Sequence, residues 1–336
     1  MRSSCASPGP PGRCTQGPSE EQRYRTMTTI VSVGSGKGGV GKSMLVANLG
    51  SALAAAGRRV VLADLDVGGA NLAALFGIFD PQATLGDFMG RRIERLDQAV
   101  HPISARLGLL AGAGDTLATA NPSYGAKQRL LKALSRLDAD VVFVDVGAGT
   151  GFHALDFFLA GEFQVLVAVP EPPAVLDAYR FVKLAGIRAV SRALPGRDRK
   201  RREIQAGCFE EAQDLIEGLD RVDPARVHNA LSALGQLRPQ LIANRIDRGD
   251  LAIRRLCQTV KSFLGRDLPL LARIPEDPAV VRSVAEFLPV VESAPGAPAA
   301  VALERAASAL LQRLPRPLPK PTRTTPPATA VPHPPT

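Results

Sequence analysis

The chain has no tryptophan and only three tyrosines in 336 residues. Single-stranded nucleic acid is held largely by stacking on aromatic faces, so sequence-reading of single strands is not expected. Its four cysteines, Cys5, Cys14, Cys208 and Cys257, are scattered without a C-x-x-C spacing. Neither a zinc site nor a disulfide framework is indicated, and a reduced, cytoplasmic setting fits best. No uninterrupted apolar run reaches the length of a membrane span, and the N-terminus lacks the apolar core of a signal peptide, so a soluble protein is expected. What the chain has in excess is positive charge, +9 with a pI near 9.8. That balance permits contact with nucleic acid or an anionic membrane surface and establishes neither.

Residues 1–25 are rich in Pro, Gly, Ser and charge and offer almost nothing to bury, and the chain beyond Leu314 is Pro- and Thr-rich. The expected organisation is a tail over 1–26, one α/β domain over 27–314, and a second tail over 315–336. Met27 stands directly before the first strand and is the expected start of translation.

The domain is organised around Gly34-Ser35-Gly36-Lys37-Gly38-Gly39-Val40-Gly41-Lys42-Ser43. An apolar, β-branched run (Ile30, Val31, Val33) precedes it and an alanine-rich amphipathic segment from Met44 to Ala56 follows. Gly36-x-x-x-x-Gly41-Lys42-Ser43 fits the phosphate-loop pattern in the strand, loop, helix order that the pattern needs. Glycines let successive N–H groups turn toward one anion, the new helix presents its positive end, and Lys42 adds a full charge. Ser43 is placed to offer its hydroxyl to Mg²⁺. The bland alternative is a flexible turn with a solvated lysine.

With Lys37 included, Lys-Gly-Gly-Val-Gly-Lys-Ser resembles the deviant Walker A motif of the MinD/ParA ATPases. The resemblance implies a three-layer P-loop NTPase fold of class α/β, with a mostly parallel central sheet and helices on both faces. It also implies that ATP is bound through Gly36, Lys37, Gly38, Gly39, Val40, Gly41, Lys42 and Ser43, and that Lys37 reaches the phosphates of a partner copy in a nucleotide-sandwich homodimer.

Carboxylates follow at strand ends, where open α/β sheets bind ligands. Val60 to Ala63 reads as a strand running into Asp64-Leu65-Asp66-Val67-Gly68-Gly69-Ala70-Asn71-Leu72, which resembles switch I of the family; by position Asp66 would orient the attacking water. Alternatively, Asp66 caps a short helix from Asn71 to Phe76. After a strand at Leu107 to Ala111 and a helix from Gly125 to Leu137, Val141-Val142-Phe143-Val144-Asp145 delivers one acid to the end of an apolar strand, as a Walker B element holding Mg²⁺, directly or through water, must. A purely structural Asp145 is the alternative. Gly147-Ala148-Gly149 resembles switch II, in which a backbone N–H such as that of Gly149 meets the γ-phosphate.

Val165 to Val169 leads into Pro170-Glu171-Pro172-Pro173 and Asp177-Ala178-Tyr179. That stretch resembles the MinD branch and the flagellar-number ATPase FlhG more than ParA. Residues 190–237 hold the basic run Arg197 to Arg202 and two helical segments, and are expected to form a surface insertion; the basic run reads as a solvated face, or as a contact for DNA phosphate or acidic lipid. Leu241-Ile242-Ala243-Asn244-Arg245 resembles the family's asparagine-arginine motif, whose Asn reads the adenine edge, and Asn244 as a turn cap is the alternative. Leu270 to Ile274 is the last core strand, with Pro275 placed near the base, and Ala299 to Leu314 forms a closing helix. Nothing resembling the family's membrane-targeting helix is expected after Leu314, nor FlhG's activating motif in 1–26.

These features imply a MinD/FlhG-like, Mg²⁺-dependent ATP hydrolase in which Lys37, Lys42 and Asp66 carry catalysis, dimerising on ATP and stimulated by a protein partner. It would position or count a cellular structure. A ParA-type partitioning ATPase on non-specific DNA is the alternative, favoured by the basic balance. A cluster-carrying relative is disfavoured, because switch II holds no cysteine and no C-terminal pair exists.

Overall fold

Near-continuous aliphatic runs such as Val141-Val142-Phe143-Val144 are what strands buried on both faces require, and they form the middle of the sheet. The computed structural model describes residues 28–66, 69, 71–112, 122–194, 204, 207, 209, 212–222, 224–247 and 250–315. The strands are β1 Thr29–Gly34, β2 Val60–Leu65, β3 Val100–Pro102, β4 Leu107–Leu110, β5 Val141–Val146, β6 Phe163–Ala168, β7 Gln240–Ile246 and β8 Leu270–Pro275. They lie in the order β3-β4-β2-β5-β1-β6-β7-β8. Every pairing is parallel except β3 with β4, so the expected mostly parallel α/β sheet is present. β3 was not anticipated; three residues ending in Pro carry too short a pattern to announce an edge strand.

The helices are α1 Lys42–Ala55, α2 Leu85–Met89, α3 Tyr124–Leu134, α4 Phe152–Phe158, α5 Pro172–Ala193, α6 Ala212–Val222, α7 Val227–Gln236, α8 Leu251–Leu264, α9 Pro278–Ala285, α10 Val290–Ser293 and α11 Pro298–Leu311. They divide between the two faces of the sheet. One core layer joins Leu45, Leu49 and Leu53 of α1 with Leu303 and Leu310 of α11. The other joins Leu130 of α3, Phe157 of α4, Phe181 of α5 and Phe263 of α8.

Alternation along each strand decides which residues face which layer. Val60 and Leu62, Val141 and Phe143, and Ile242 all face the α1 layer. Continuing the period of two, Asp64, Asp145 and Asn244 fall on that same face, at the C-terminal ends of β2, β5 and β7. Strand ends on the α1 side are thus where polar groups converge.

Two expectations differ from the structure. The short helix after switch I is a single 3₁₀ turn, Ala74–Phe76, with no side-chain cap. The segment expected as a surface insertion also supplies core: Leu215 and Leu219 of α6 and Ala230 and Leu234 of α7 are buried in the α5 layer. The basic run Arg197 to Arg202 lies outside the described residues.

Candidate functional site

The loop from Gly34 to Ser43 leaves β1 between its neighbours β5 and β6 and turns into α1. Gly39 and Gly41 sit at φ +78° and +90°, in the left-handed region that side chains avoid. Gly36 packs so closely on α5 that a Cβ there would lie 1.9 Å from the Asp177 carbonyl oxygen. The Ser35 hydroxyl donates to the Lys37 carbonyl at 2.8 Å, closing the turn locally. α1 begins with no capping side chain and no acid in its first turn, so its N–H groups and positive end stay open toward the loop. Lys42 is 6% exposed beneath it. This is a cradle built for an anion with several oxygens.

Lys37 projects outward. Its side chain is 45% exposed and its ammonium lies 3.6 Å from Glu171, the residue that precedes α5. The segment after β5 reaches back to the loop: Gly149, at φ +86°, donates its N–H to the Ser35 carbonyl at 3.2 Å. That amide, expected to meet a γ-phosphate, is bonded to the phosphate loop itself.

Asp64 and Asp145 are buried side by side in the β2/β5 ladder. Burial pushes the Asp64 carboxyl up to about 7, with the neighbouring Asp145 charge adding to the shift; the amides of Leu72 and Asp66, donating to it at 3.0 and 3.1 Å, pull it partly back. Burial likewise raises Asp145 to about 6, opposed by the Ser43 hydroxyl and the Lys42 charge. The Ser43 approach stops short of a hydrogen bond of good geometry, and both Asp145 oxygens are buried without a partner. Two orphaned carboxylate oxygens facing a lysine and a serine at a helix's positive end suit a hydrated divalent cation. Among the described residues no group of three or more His, Cys, Asp or Glu forms a metal cage. A cation here would therefore complete its shell with water and ligand oxygens, the habit of Mg²⁺ beside phosphates.

Asp66 faces the same space. A Cβ built on Gly147 would meet its Oδ1 at 3.3 Å, so the glycine leaves room for the acid. Serving the amide of Leu72 falls to Asp64, a role the sequence did not reveal. Asn244 reaches the phosphate loop as well: its Nδ2 donates to the Val40 carbonyl at 2.8 Å, and the residue is 1% exposed. Arg245, at φ +54°, and Pro275 stand at the neighbouring ends of β7 and β8, where the pairing is irregular between Ala243 and Ile246. The structure thus gathers Gly36 to Ser43, Asp66, Asp145, Gly149 and Asn244. The pairing of Lys37 with Glu171 and the hold of Asn244 on Val40 had no sequence signal, because each joins segments far apart in the chain.

Residues 31–290 match the CobQ/CobB/MinD/ParA nucleotide binding domain. The chain belongs to this family. Over 158 residues it is 37% identical to antiactivator FleN of Pseudomonas aeruginosa, covering 46% of this chain and 55% of that protein. It is 33% identical over 164 residues to flagellum site-determining protein YlxH of Helicobacter pylori, covering 47% and 53%. The chain thus spans about half the length of these two curated relatives. Among solved structures, septum site-determining protein MinD of Pyrococcus horikoshii, complexed with Mg-ADP, matches with a TM-score of 0.61 at 26% identity, over 84% of this chain and 96% of that one. The MinD/ParA-type fold expected from the deviant Walker A motif is therefore the fold of this protein.

Proposed function

We propose that this MinD/ParA-family domain, placed at residues 27–314, is an ATP-dependent dimerisation switch of the MinD/FlhG type that hydrolyses ATP slowly to position or count a cellular structure. The observation that carries this reading is Asp145: a buried carboxylate with two orphaned oxygens beside Lys42 and Ser43, at the open end of α1. Likeness to FleN and YlxH supports the flagellar side, and likeness to MinD the division-site side.

In this reading the loop amides and Lys42 hold the β- and γ-phosphates, and Ser43 and Asp145 hold Mg²⁺, which neutralises phosphate charge when bound. Asp66 orients the attacking water. Lys37, half-exposed and held among the described residues by a surface ion pair to Glu171, can turn to a second copy's phosphates, where a cation stabilises the charge that develops in transfer. Arg245 and Pro275 flank the base. A protein partner that stimulates hydrolysis, in the cytoplasm or at a membrane or nucleoid surface, completes the cycle.

The test is sedimentation of purified protein with and without Mg-ATP. Wild type is expected to shift from monomer to dimer with ATP, Asp66→Ala to stay dimeric because turnover stops, and Lys37→Ala to bind ATP as a monomer. Protein that neither binds ATP nor changes its oligomeric state sinks the proposal. The +9 charge favours a second reading, a ParA-type ATPase on non-specific DNA. ATP-dependent, salt-sensitive gel shifts on unrelated duplexes separate the two.

A further inference from the structure

We propose that the chain carries a second anion site, in the cavity between the turns that enter β7 and β8, and that it takes a small phosphorylated molecule through Arg238 and Arg266. The strands β1, β6, β7 and β8 run parallel, so these turns lie at the end of the sheet opposite the phosphate loop. The cavity is about 420 Å³, lined by Arg238, Pro239 and Gln240 from one turn and by Arg266, Asp267 and Pro269 from the other. That volume falls in the range of small-molecule sites. The Leu241 N–H donates to the Pro269 carbonyl at 2.8 Å, which ties the turns together, and each proline fixes a backbone torsion. The walls are thus formed in advance.

Charge decides what such a cavity holds. A guanidinium is rich in N–H donors and has no acceptor. The terminal nitrogens of Arg266 donate to the carbonyls of Leu234 and Gly235, the latter at 3.1 Å, and Arg238 gives its Nε–H to the same Gly235 carbonyl at 2.9 Å. Both side chains therefore meet the C-terminal end of α7, whose partial negative charge is about half a unit. Capping that end needs one arginine, and the second is surplus.

The surplus is not matched elsewhere. Among the described residues neither Arg238 nor Arg266 has a carboxylate at ion-pair distance, and the acid of the lining, Asp267, is paired with Lys261 at 3.0 Å. The Arg266 Nε is buried with no hydrogen-bond partner. Burial pushes the Arg266 guanidinium below its usual range, and the Arg238 charge adds to the shift. A third guanidinium, that of Arg313, bonds the Gln240 side chain at the rim. Positive groups crowd here without a counter-ion, and a phosphate, with several oxygens for guanidinium forks, is the anion they fit.

Inorganic pyrophosphate is the probe, titrated at constant ionic strength into the full chain while NMR follows the side-chain Nε–H signals of Arg238 and Arg266. Saturable movement of both signals is expected, with a rise in Tm. Arg238 is exposed, and its loss leaves Arg266 to cap α7, so Arg238→Gln should fold, as circular dichroism checks, and bind pyrophosphate at least about tenfold more weakly, the effect of one charge-assisted hydrogen bond. The response should persist in Lys42→Ala, whose lesion lies at the far end of the sheet. No movement at either arginine, movement that stays linear in concentration, unchanged affinity in Arg238→Gln, or a response lost in Lys42→Ala overturns the inference. Movement with duplex DNA and not with pyrophosphate overturns it too, since the face would then be a nucleic-acid contact. Should the variant not fold, the titrations of wild type and Lys42→Ala still decide.

Discussion

Asp64 and Asp145 are direct partners in the β2/β5 ladder, one residue short of its last pair, and each is 1% exposed. Both hold their protons more tightly in the fold than in the unfolded chain, where an Asp titrates near 3.8. A raised acid stabilises the fold fully below its unfolded value, and that contribution is lost as pH rises through about 6 and about 7. Urea midpoints in EDTA are therefore expected to fall between pH 5 and pH 8, and to fall less in Asp64→Asn. Parallel pH profiles for the two proteins would show that the pair does not titrate in this window.

Gly36→Ala should disable the loop, because its new Cβ would collide with the Asp177 backbone at 1.9 Å and neither segment can yield as a flexible side chain would. Loss of ATP affinity by more than about tenfold is expected, together with a lower Tm. Gly38→Ala is the control: its Cβ meets only the Ala148 methyl, at 3.9 Å. Equal effects of the two substitutions on Tm would contradict the packing.

Glu171→Gln removes the carboxylate beside Lys37. With both side chains about half exposed, the pair contributes less than about 0.5 kcal/mol, so the thermal midpoint should not move. ATP-induced dimerisation is expected to persist, with its ATP dependence shifted to lower ATP as Lys37 is released. A clear fall in Tm would mean that the pair holds the monomer together.

Asp156 of α4 is expected to be far less forgiving. Burial pushes its carboxyl up, yet Arg188 and Lys127, both hydrogen-bonded to it, hold it below the usual carboxylate range. Lys127 and Arg188 are themselves nearly enclosed, at 8% and 12% side-chain exposure. Asp156→Asn leaves two buried cations with no counter-charge, a loss of about 3–5 kcal/mol. Chemical denaturation measures it; a change under about 1 kcal/mol would show that solvent reaches these cations.

The phosphate loop was legible in the sequence because its chemistry demands particular residues at fixed local spacing: glycines where φ is positive, then Lys42 and Ser43 at the helix start. The aliphatic run before Asp145 was legible for a similar reason, since a strand buried on both faces tolerates little else. What Asn244, Asp64 and Glu171 touch was not legible. Each contact depends on which strand lies beside which, and the order β5-β1-β6-β7 is a tertiary fact with no local trace. The burial of Leu215 and Leu234 was missed on the same ground, because an amphipathic helix announces an apolar face without naming what covers it.

Because Asp64, Asp145 and Asn244 reach one face only through the pleat of their strands, the site depends on parity. Exchanging one aliphatic residue for another within Val141 to Val144 changes packing and leaves the acid where it was. Deleting a single residue there would turn Asp145 to the opposite layer, among the side chains of α3 and α4, with no change in composition to warn of it. Length, counted residue by residue along three strands, is as much a part of this machinery as the acids and the amide it delivers.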